Sequence, residues 1–395
     1  MKSKLNIVFM GQFTYPHGMA GTKRNQHAIT SLKKYDNTRI QVVVLRQSSK
    51  NNPISGVYED IHYQTIGPNY ERLKLLLLFP IYLLKGIRIL NKAFCKDSKN
   101  ILHVYNSPAF DNIPFVLYAK MRGFKIIFDI IEDYSFSKNL KNLLRHRICT
   151  FITLILQSKI KKYTDGIIVI SSHLENKFKT IFDPTSQILF RPISVNLKYY
   201  ENKIFKFNTN KISLFYAGSY GKKDSVENLI EAFNILSEEF NNLALILAGK
   251  TYEESFKIIR TKINNSDYKN NINYMGYLDD EFYYKTLNSC DIPCMTRTDI
   301  AYANAGFPFK LGEYLSTGKP VIASDVSDVR KYLTNKKNAM ILKPGSIESI
   351  VSSIRYLISH PEQAAEIGYN GRKVAEEHFD YNAHGEKLYN FFNTI

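Results

Sequence analysis

Short runs of β-branched and aromatic residues alternate with amphipathic stretches through most of the chain, and this alternation constrains the fold more than any other feature. Residues 5–10 read as a buried parallel strand. A loop with two glycines follows, then a helix capped by Thr22 that runs to about Lys34 with Ala28, Ile29 and Leu32 on one face, then a strand over 40–45. Strand, helix and strand in this order imply a right-handed parallel crossover, and the pattern recurs with strands at 101–104, 125–131 and 166–170. The same grammar returns at 213–217, 226–238 (a helix), 243–247, 272–275 and 320–323. The expected class is therefore α/β, with two facing doubly wound, Rossmann-like domains and a deep cleft between them. A length of 395 residues and an apolar fraction of 44% suit two ordinary cores. The segment 191–198 has a proline and no long apolar run, so the expected domains are 1–198 and 199–375, with a terminal helix over 376–395.

Composition excludes several classes. No apolar run reaches the eighteen or so residues of a membrane span, and the start is too short for a signal peptide, so the expected location is cytoplasmic. Cys95, Cys149, Cys290 and Cys294 are scattered and complete no zinc site, which leaves them as reduced thiols. The net charge of +17 is uneven: residues 1–200 carry +18 and residues 201–395 carry −1. Such a basic half points to an anionic surface or substrate. Residues 70–90 are dense in leucine and fringed by Arg72, Lys74, Lys85 and Arg88. They suit either a helix in a membrane interface or a crossover helix packed on the sheet. Further basic patches, Lys138 to Arg147 and Lys159 to Lys162, flank the apolar stretch 148–156 and favour contact with an anionic membrane. No nucleic-acid motif is present, and nucleic acid is not an expected partner.

Ligands of doubly wound sheets sit beyond the carboxyl ends of the strands, so the loops there carry the chemistry. Gly218 to Ser225 forms a glycine-bearing loop running into a helix, with Lys222 and Lys223 in it. Loop amides, the helix amino end and a lysine together make a diphosphate cradle. The loop is neither a P-loop nor a Gly-x-Gly-x-x-Gly fingerprint. Further on, residues 305–325 read AGFPFKLGEYLSTGKPVIASD: a glycine- and proline-rich entry, a short helix bearing Lys310 and Glu313, a Gly-Lys-Pro break, and a buried strand.

This last stretch resembles the donor-site signature of the family-four retaining glycosyltransferases of GT-B fold, in the branch with Pro-x-Lys-x-x-Glu-Tyr before Gly-Lys-Pro-Val. The likeness extends over the carboxy-terminal half, through Tyr216-Ala-Gly-Ser and Leu245-Ile-Leu-Ala-Gly. It is thinner in the first half, where it rests on Tyr15 to Gly21 with Arg24 and on residues 165–171. It implies transfer of a sugar from a nucleoside-diphosphate sugar, with retention and without a metal or other cofactor. The acceptor would be a glycan or a polyprenyl-diphosphate-linked glycan of the bacterial capsule, lipopolysaccharide O-antigen or another envelope polysaccharide. The enzyme would sit peripherally on the inner face of the cytoplasmic membrane. In that resemblance Glu313 is the second glutamate of the paired motif and accepts hydrogen bonds from the ribose. The first glutamate's place holds Ala305. Backbone amides of Gly306, Phe307 and Phe309, with Lys310, hold sugar or phosphate, and Tyr277 and Leu278 border the base. The family's arginine and lysine after the first strand of this half fall on Ser219 and Asp224, so Lys222 and Lys223, beside Gly218, are the expected substitutes that stabilise the leaving diphosphate. In the first half, His17, Gly18, Gly21 and Arg24 form the acceptor or diphosphate loop. The usual histidine after the fourth strand is replaced by Glu132-Asp133, where Glu132 is either a base towards the acceptor or a helix cap. His103 is expected in the core. Two other readings are a sugar-nucleotide epimerase of the same architecture, which the Gly-Lys-Pro-Val stretch disfavours, and a non-catalytic nucleotide-sugar binder on a degenerate scaffold.

Overall fold

The structure, a computed structural model, describes residues 4–47, 53–68, 72–133, 135, 144–182, 187–200, 206, 211–249 and 253–395. It divides into two compact units, residues 1–192 with 381–395 and residues 193–380. The division falls after Pro192, six residues before the expected boundary at 198, and the second unit runs on to Asp380 rather than ending at 375.

The first unit contains strands β1 (Leu5–Gly11), β2 (Thr38–Gln47), β3 (Ser55–Tyr58), β4 (Ile61–Pro68), β5 (Lys99–Tyr105), β6 (Lys125–Ile130), β7 (Gly166–Val169) and β8 (Ile188–Phe190). Its helices are α1 (Ala20–Leu32), α2 (Arg72–Ala93), α3 (Ile113–Arg122), α4 (Leu144–Ser158) and α5 (Ser172–Lys179). The sheet order is β3-β4-β2-β1-β5-β6-β7-β8, parallel except for the β3–β4 hairpin. The β1 and β5 to β7 strands are mostly apolar and buried over nearly their whole length because both sheet faces are covered. Helix α2 is the crossover from β4 to β5. Ile89, Leu90 and Ala93 face inward, whereas Leu77, Ile81 and Leu84 stay exposed. Helix α1 starts at Ala20, so Thr22 lies within its first turn rather than capping it; its hydroxyl instead donates to the Thr14 carbonyl and ties the preceding loop to the helix.

The second unit holds β9 (Ile212–Ala217), α6 (Val226–Glu239), β10 (Leu243–Ala248), α7 (Glu253–Asn264), β11 (Ile272–Gly276), α8 (Asp280–Ser289) and β12 (Ile292–Met295). It continues through α9 (Ala301–Ala305), α10 (Phe309–Ser316), β13 (Ile322–Ser324), α11 (Val329–Tyr332), β14 (Met340–Leu342), α12 (Ile347–Ser359) and α13 (Pro361–His378). The sheet order is β11-β10-β9-β12-β13-β14, all parallel where paired. Phe233 and Leu236 of α6 and Ile354 and Leu357 of α12 pack with Leu245 of β10 into one core.

Helix α14 (Tyr381–Thr394) belongs to the first unit and packs on α1. A side chain at Gly385 would collide with Ser31 Cβ at 2.7 Å, so the glycine permits the close approach. Tyr35 stacks on Tyr389 at 3.8 Å, and the Tyr389 hydroxyl donates to Asn37 Oδ1 at 3.0 Å.

Candidate donor site and the first-unit loops

In the second unit the strand order reverses between β9 and β12, so the loops after these two strands open side by side, where doubly wound sheets hold their ligands. The loop after β9 begins at Gly218. A side chain there would meet Lys310 Nζ at 2.7 Å, so the glycine is what lets the lysine of α10 lie over this loop. Helix α10 is held to the end of β9 by the Ala217 amide, which donates to the Tyr314 hydroxyl at 2.9 Å. Lys310 Nζ donates to the Tyr216 hydroxyl at 2.9 Å and lies 3.6 Å from Asp224 Oδ1. Asp224 in turn accepts from Ser219 Oγ at 3.3 Å and from the Gly221 amide at 3.2 Å. Burial opposes ionisation of Asp224, but Lys310, Arg297 and Lys223 outweigh it and hold the carboxyl below its usual range. Lys310 is pushed down to about 8, first by burial and then by repulsion from Arg297 and Lys223, with Asp224 pulling the other way.

Arg297 is absent from the sequence-based set of site residues, yet it stands in the first loop after β12. It is 8% exposed, and its Nε has no hydrogen-bond partner among the described residues. Its charge acts on both Asp224 and Lys310. A buried guanidinium with an idle donor, beside a lysine that already repels it, favours an incoming anion. The signal that locates it is topological: the loop after the fourth strand of this order always borders the loop after the first.

Glu313 is 6% exposed on α10 and accepts a hydrogen bond from the Tyr283 hydroxyl of α8 at 2.7 Å. Ala305 is buried at the end of α9 and offers only a methyl group as its side chain. Gly306 follows it, half-buried. The Phe307 ring stacks on Tyr332 at 5.6 Å and meets Phe379 edge-on, so this side chain is core and only its backbone remains for a ligand. Phe309 opens α10. Lys223 places its ammonium 4.8 Å from the centre of the Tyr302 ring, near the cluster, whereas Lys222 is exposed and contributes a carbonyl that accepts from Thr298 Oγ1 at 3.3 Å. Tyr277 is exposed and Leu278 half-buried just after β11.

In the first unit, His17 is exposed and meets Tyr58 edge-on at 5.3 Å, and Gly18 is half-buried above Thr14 and Thr22. Gly21 allows α1 to approach Tyr105, whose hydroxyl would lie 2.5 Å from a side chain there. Arg24 departs from its expected place in a ligand loop. It is 1% exposed and clamps Asp129 of β6 through Nε and Nη2 at 2.9 and 2.7 Å, and it also donates to the carbonyls of Pro192 and Arg191. A guanidinium so occupied is part of the interior. Glu132 is half-buried after β6. Its neighbour Asp133 is buried and accepts from Lys177 Nζ at 2.6 Å, His173 Nε2 at 3.0 Å and Ser135 Oγ at 2.7 Å. Burial opposes its ionisation, but these bonds prevail and hold it at about 2. His103 is wholly buried 4.5 Å from the Phe9 ring, and burial lowers its pKa to about 3. At the carboxyl ends of β2 and β4 lies an apolar cavity of about 190 Å³ lined by Leu45, Ile66, Phe79, Tyr82, Phe110 and Phe115. The Arg46–Asp111 ion pair, 2.6 Å, borders it.

Comparison with known proteins bears on the same regions. Residues 200–374 match the family described as Glycosyl transferases group 1. The chain is 25% identical over 236 residues to the capsular polysaccharide biosynthesis glycosyltransferase CapM of Staphylococcus aureus, a match spanning 58% of each protein. It is 23% identical over 287 residues to a glycosyltransferase of Methanocaldococcus jannaschii, 71% of each. In fold it is similar to sucrose-phosphate synthase from Thermosynechococcus elongatus, with a TM-score of 0.78, 14% identity and 98% of both chains covered. Anabaena HepE, solved in complex with UDP-glucose, gives a TM-score of 0.73 at 14% identity over 98% of this chain and 99% of that one. The second unit, with its reversed strand order and its α10 signature, is thus similar to the group 1 glycosyl transferases, and the chain has the GT-B fold of its structural neighbours.

Proposed function

We propose that the protein transfers a glycosyl group from a nucleoside-diphosphate sugar, with retention and without a metal, to a glycan or polyprenyl-diphosphate-linked acceptor in bacterial capsule, O-antigen or other envelope polysaccharide synthesis. The observation that carries this reading is the convergence, at the β9–β12 reversal, of Lys310 and Arg297 beside the loop at Gly218, with Glu313 on the same helix as Lys310. The two cations take the diphosphate, and their positive charge is aimed at the leaving group, where negative charge grows in the transition state. Lys223 and the amides of Gly218, Ser219, Gly306, Phe307 and Phe309 add to this, and Glu313 accepts from the ribose hydroxyls. With the leaving group neutralised by fixed cations, no Lewis acid is required. The capsular role rests on the name of CapM, and the uridine donor complexes of HepE make a uridine diphosphate sugar the first candidate. The apolar cavity at β2 and β4 suits an acceptor with a hydrocarbon carrier, and the acceptor chemistry is assigned to the first-unit loops with His17, Gly18, Gly21 and Glu132. Among the described residues no helix is long and apolar enough to cross a membrane, and a peripheral position on its inner face goes with this reading.

Thermal unfolding with a panel of nucleoside diphosphates and their sugars tests the donor site, because a ligand of the folded state raises the midpoint by mass action. One base should stabilise wild type and fail with Glu313→Ala and Arg297→Ala. No shift with any member overturns the donor assignment. Incubation of the stabilising sugar nucleotide with and without lipid-linked glycan then separates transfer, which needs the acceptor, from epimerisation, which does not.

A further inference from the structure

Helices α2, α3 and α4 together carry nine lysines and arginines and not one aspartate or glutamate. The steps β4 to β5, β5 to β6 and β6 to β7 all advance in the same direction across the sheet, so right-handed crossovers set these three helices on one face, opposite α1 and α14. Side-chain contacts confirm the row. Arg122 Nε on α3 donates to Asn91 Oδ1 on α2 at 3.2 Å, and Lys120 Nζ on α3 donates to the Lys162 carbonyl just past α4 at 3.3 Å.

Each helix turns an apolar pair outward one turn apart: Leu77 and Ile81 on α2, Leu117 and Met121 on α3, Phe151 and Ile155 on α4. Exposure runs from 38% at Ile155 to 86% at Met121, and Leu84 and Phe110 add to the same display. Isolated apolar residues on a surface are ordinary, but matched pairs on three adjacent helices are not. Lys85, Arg88, Lys92, Lys120 and Arg122 are exposed on α2 and α3, and none forms an ion pair with an acid among the described residues.

We infer that this face docks the first unit on an anionic bilayer. The apolar pairs enter the boundary between headgroups and acyl chains while the cations meet lipid phosphates. A second copy of the chain is the poorer occupant, because it would set cation against cation with no acid on any of the three helices to relieve it. Helix α3 is the new element: its Leu117 and Met121 join two separate basic, apolar segments into one surface. The inference rests on the peripheral position proposed above and deepens it by naming the face that meets the membrane, and vesicle binding, which needs neither donor nor acceptor, tests it apart from the transferase reading.

Co-sedimentation of the full chain with vesicles of phosphatidylglycerol and phosphatidylcholine, against phosphatidylcholine alone, tests it. Wild type should pellet with the anionic vesicles only, and less so as salt rises. Arg88→Gln and Lys120→Gln should each weaken binding about five-fold, about 25-fold together. Leu117→Ser with Met121→Ser should abolish pelleting while leaving the unfolding midpoint and its rise with nucleotide unchanged, which separates a docking defect from a folding or donor-site defect. Equal pelleting with neutral vesicles, or wild-type pelleting by the serine pair, overturns the inference. So does a dimer in light scattering that the serine pair dissolves, which would assign the face to a second copy.

Discussion

Asp129 in the first unit and Asp224 in the second are both buried acids at the carboxyl edge of a parallel sheet, and both are ringed by cations. Asp129 receives three guanidinium bonds, two from Arg24 and one from Arg191, and Arg24 directs its other bonds to the carbonyls of Arg191 and Pro192. Side-chain exposure in this group is 4% or less. Asp224 is held more loosely: the nearest cation lies at 3.6 Å and is partly open, and Arg297 keeps an idle donor. The same charge pattern thus serves two ends. Where the cations saturate the acid and the backbone, they hold chain segments distant in sequence together. Where they exceed what the acid can absorb, they leave a field for an anion.

Substitution of the two acids' partners should separate these roles. Asp129→Asn leaves Arg24 and Arg191 buried without a counter-charge and is expected to cost about 3–5 kcal/mol in urea unfolding. Arg297→Ala should do the reverse. Stability stays within about 0.5 kcal/mol of wild type, as its guanidinium bonds nothing that must be left unpaired, while donor affinity by calorimetry falls about 10- to 100-fold. If Arg297→Ala unfolds the protein and leaves donor binding intact, the two clusters are alike and the contrast fails.

Titration sharpens the second cluster alone. Lys310, at about 8, is charged below that pH and neutral above it, so the attraction for a diphosphate proposed above is largely present near pH 7 and is lost as pH rises through 8. Bound donor keeps the proton on, so the donor dissociation constant should grow by up to about tenfold per pH unit above 8. Lys310→Arg, charged throughout, should flatten that slope. A wild-type constant that stays level from pH 7 to 9.5 removes Lys310 from the diphosphate site.

What the sequence made legible follows the same divide. Glu313 and Lys310 sit in a local pattern, a helix entered through Gly306 and Pro308 and broken at Gly318, and local patterns can be read without a partner in view. The parallel strands were readable because burial on both faces makes them predominantly apolar. Arg24 was misplaced because its partner lies 105 residues away, and nothing near it announces a buried acid. Arg297 follows a short strand that contains Pro293 and shows no periodicity, and only the strand order brings it to the site. The β3–β4 hairpin escaped for a backbone reason. Its two turn residues, Glu59 and Asp60, both have positive φ, 48° and 64°, a geometry usually announced by asparagine and glycine.

The smallest expected effect concerns how Glu313 is held. Its carboxylate accepts the Tyr283 hydroxyl at 2.7 Å, which fixes the direction in which it points and leaves the rest of its acceptor capacity for the ribose contact proposed above. Tyr283→Phe removes one hydroxyl and keeps the ring, so its effect on donor binding should be about 0.5–1.5 kcal/mol, roughly three- to tenfold. The loss should be non-additive with Glu313→Gln, since both changes act through one carboxylate, and it should vanish for a nucleotide that lacks the ribose hydroxyls. Equal losses for the normal and deoxy nucleotides would mean that Tyr283 supports the fold of α8 and α10 and not the grip of Glu313 on the sugar. The open cluster would then extend no further than its cations.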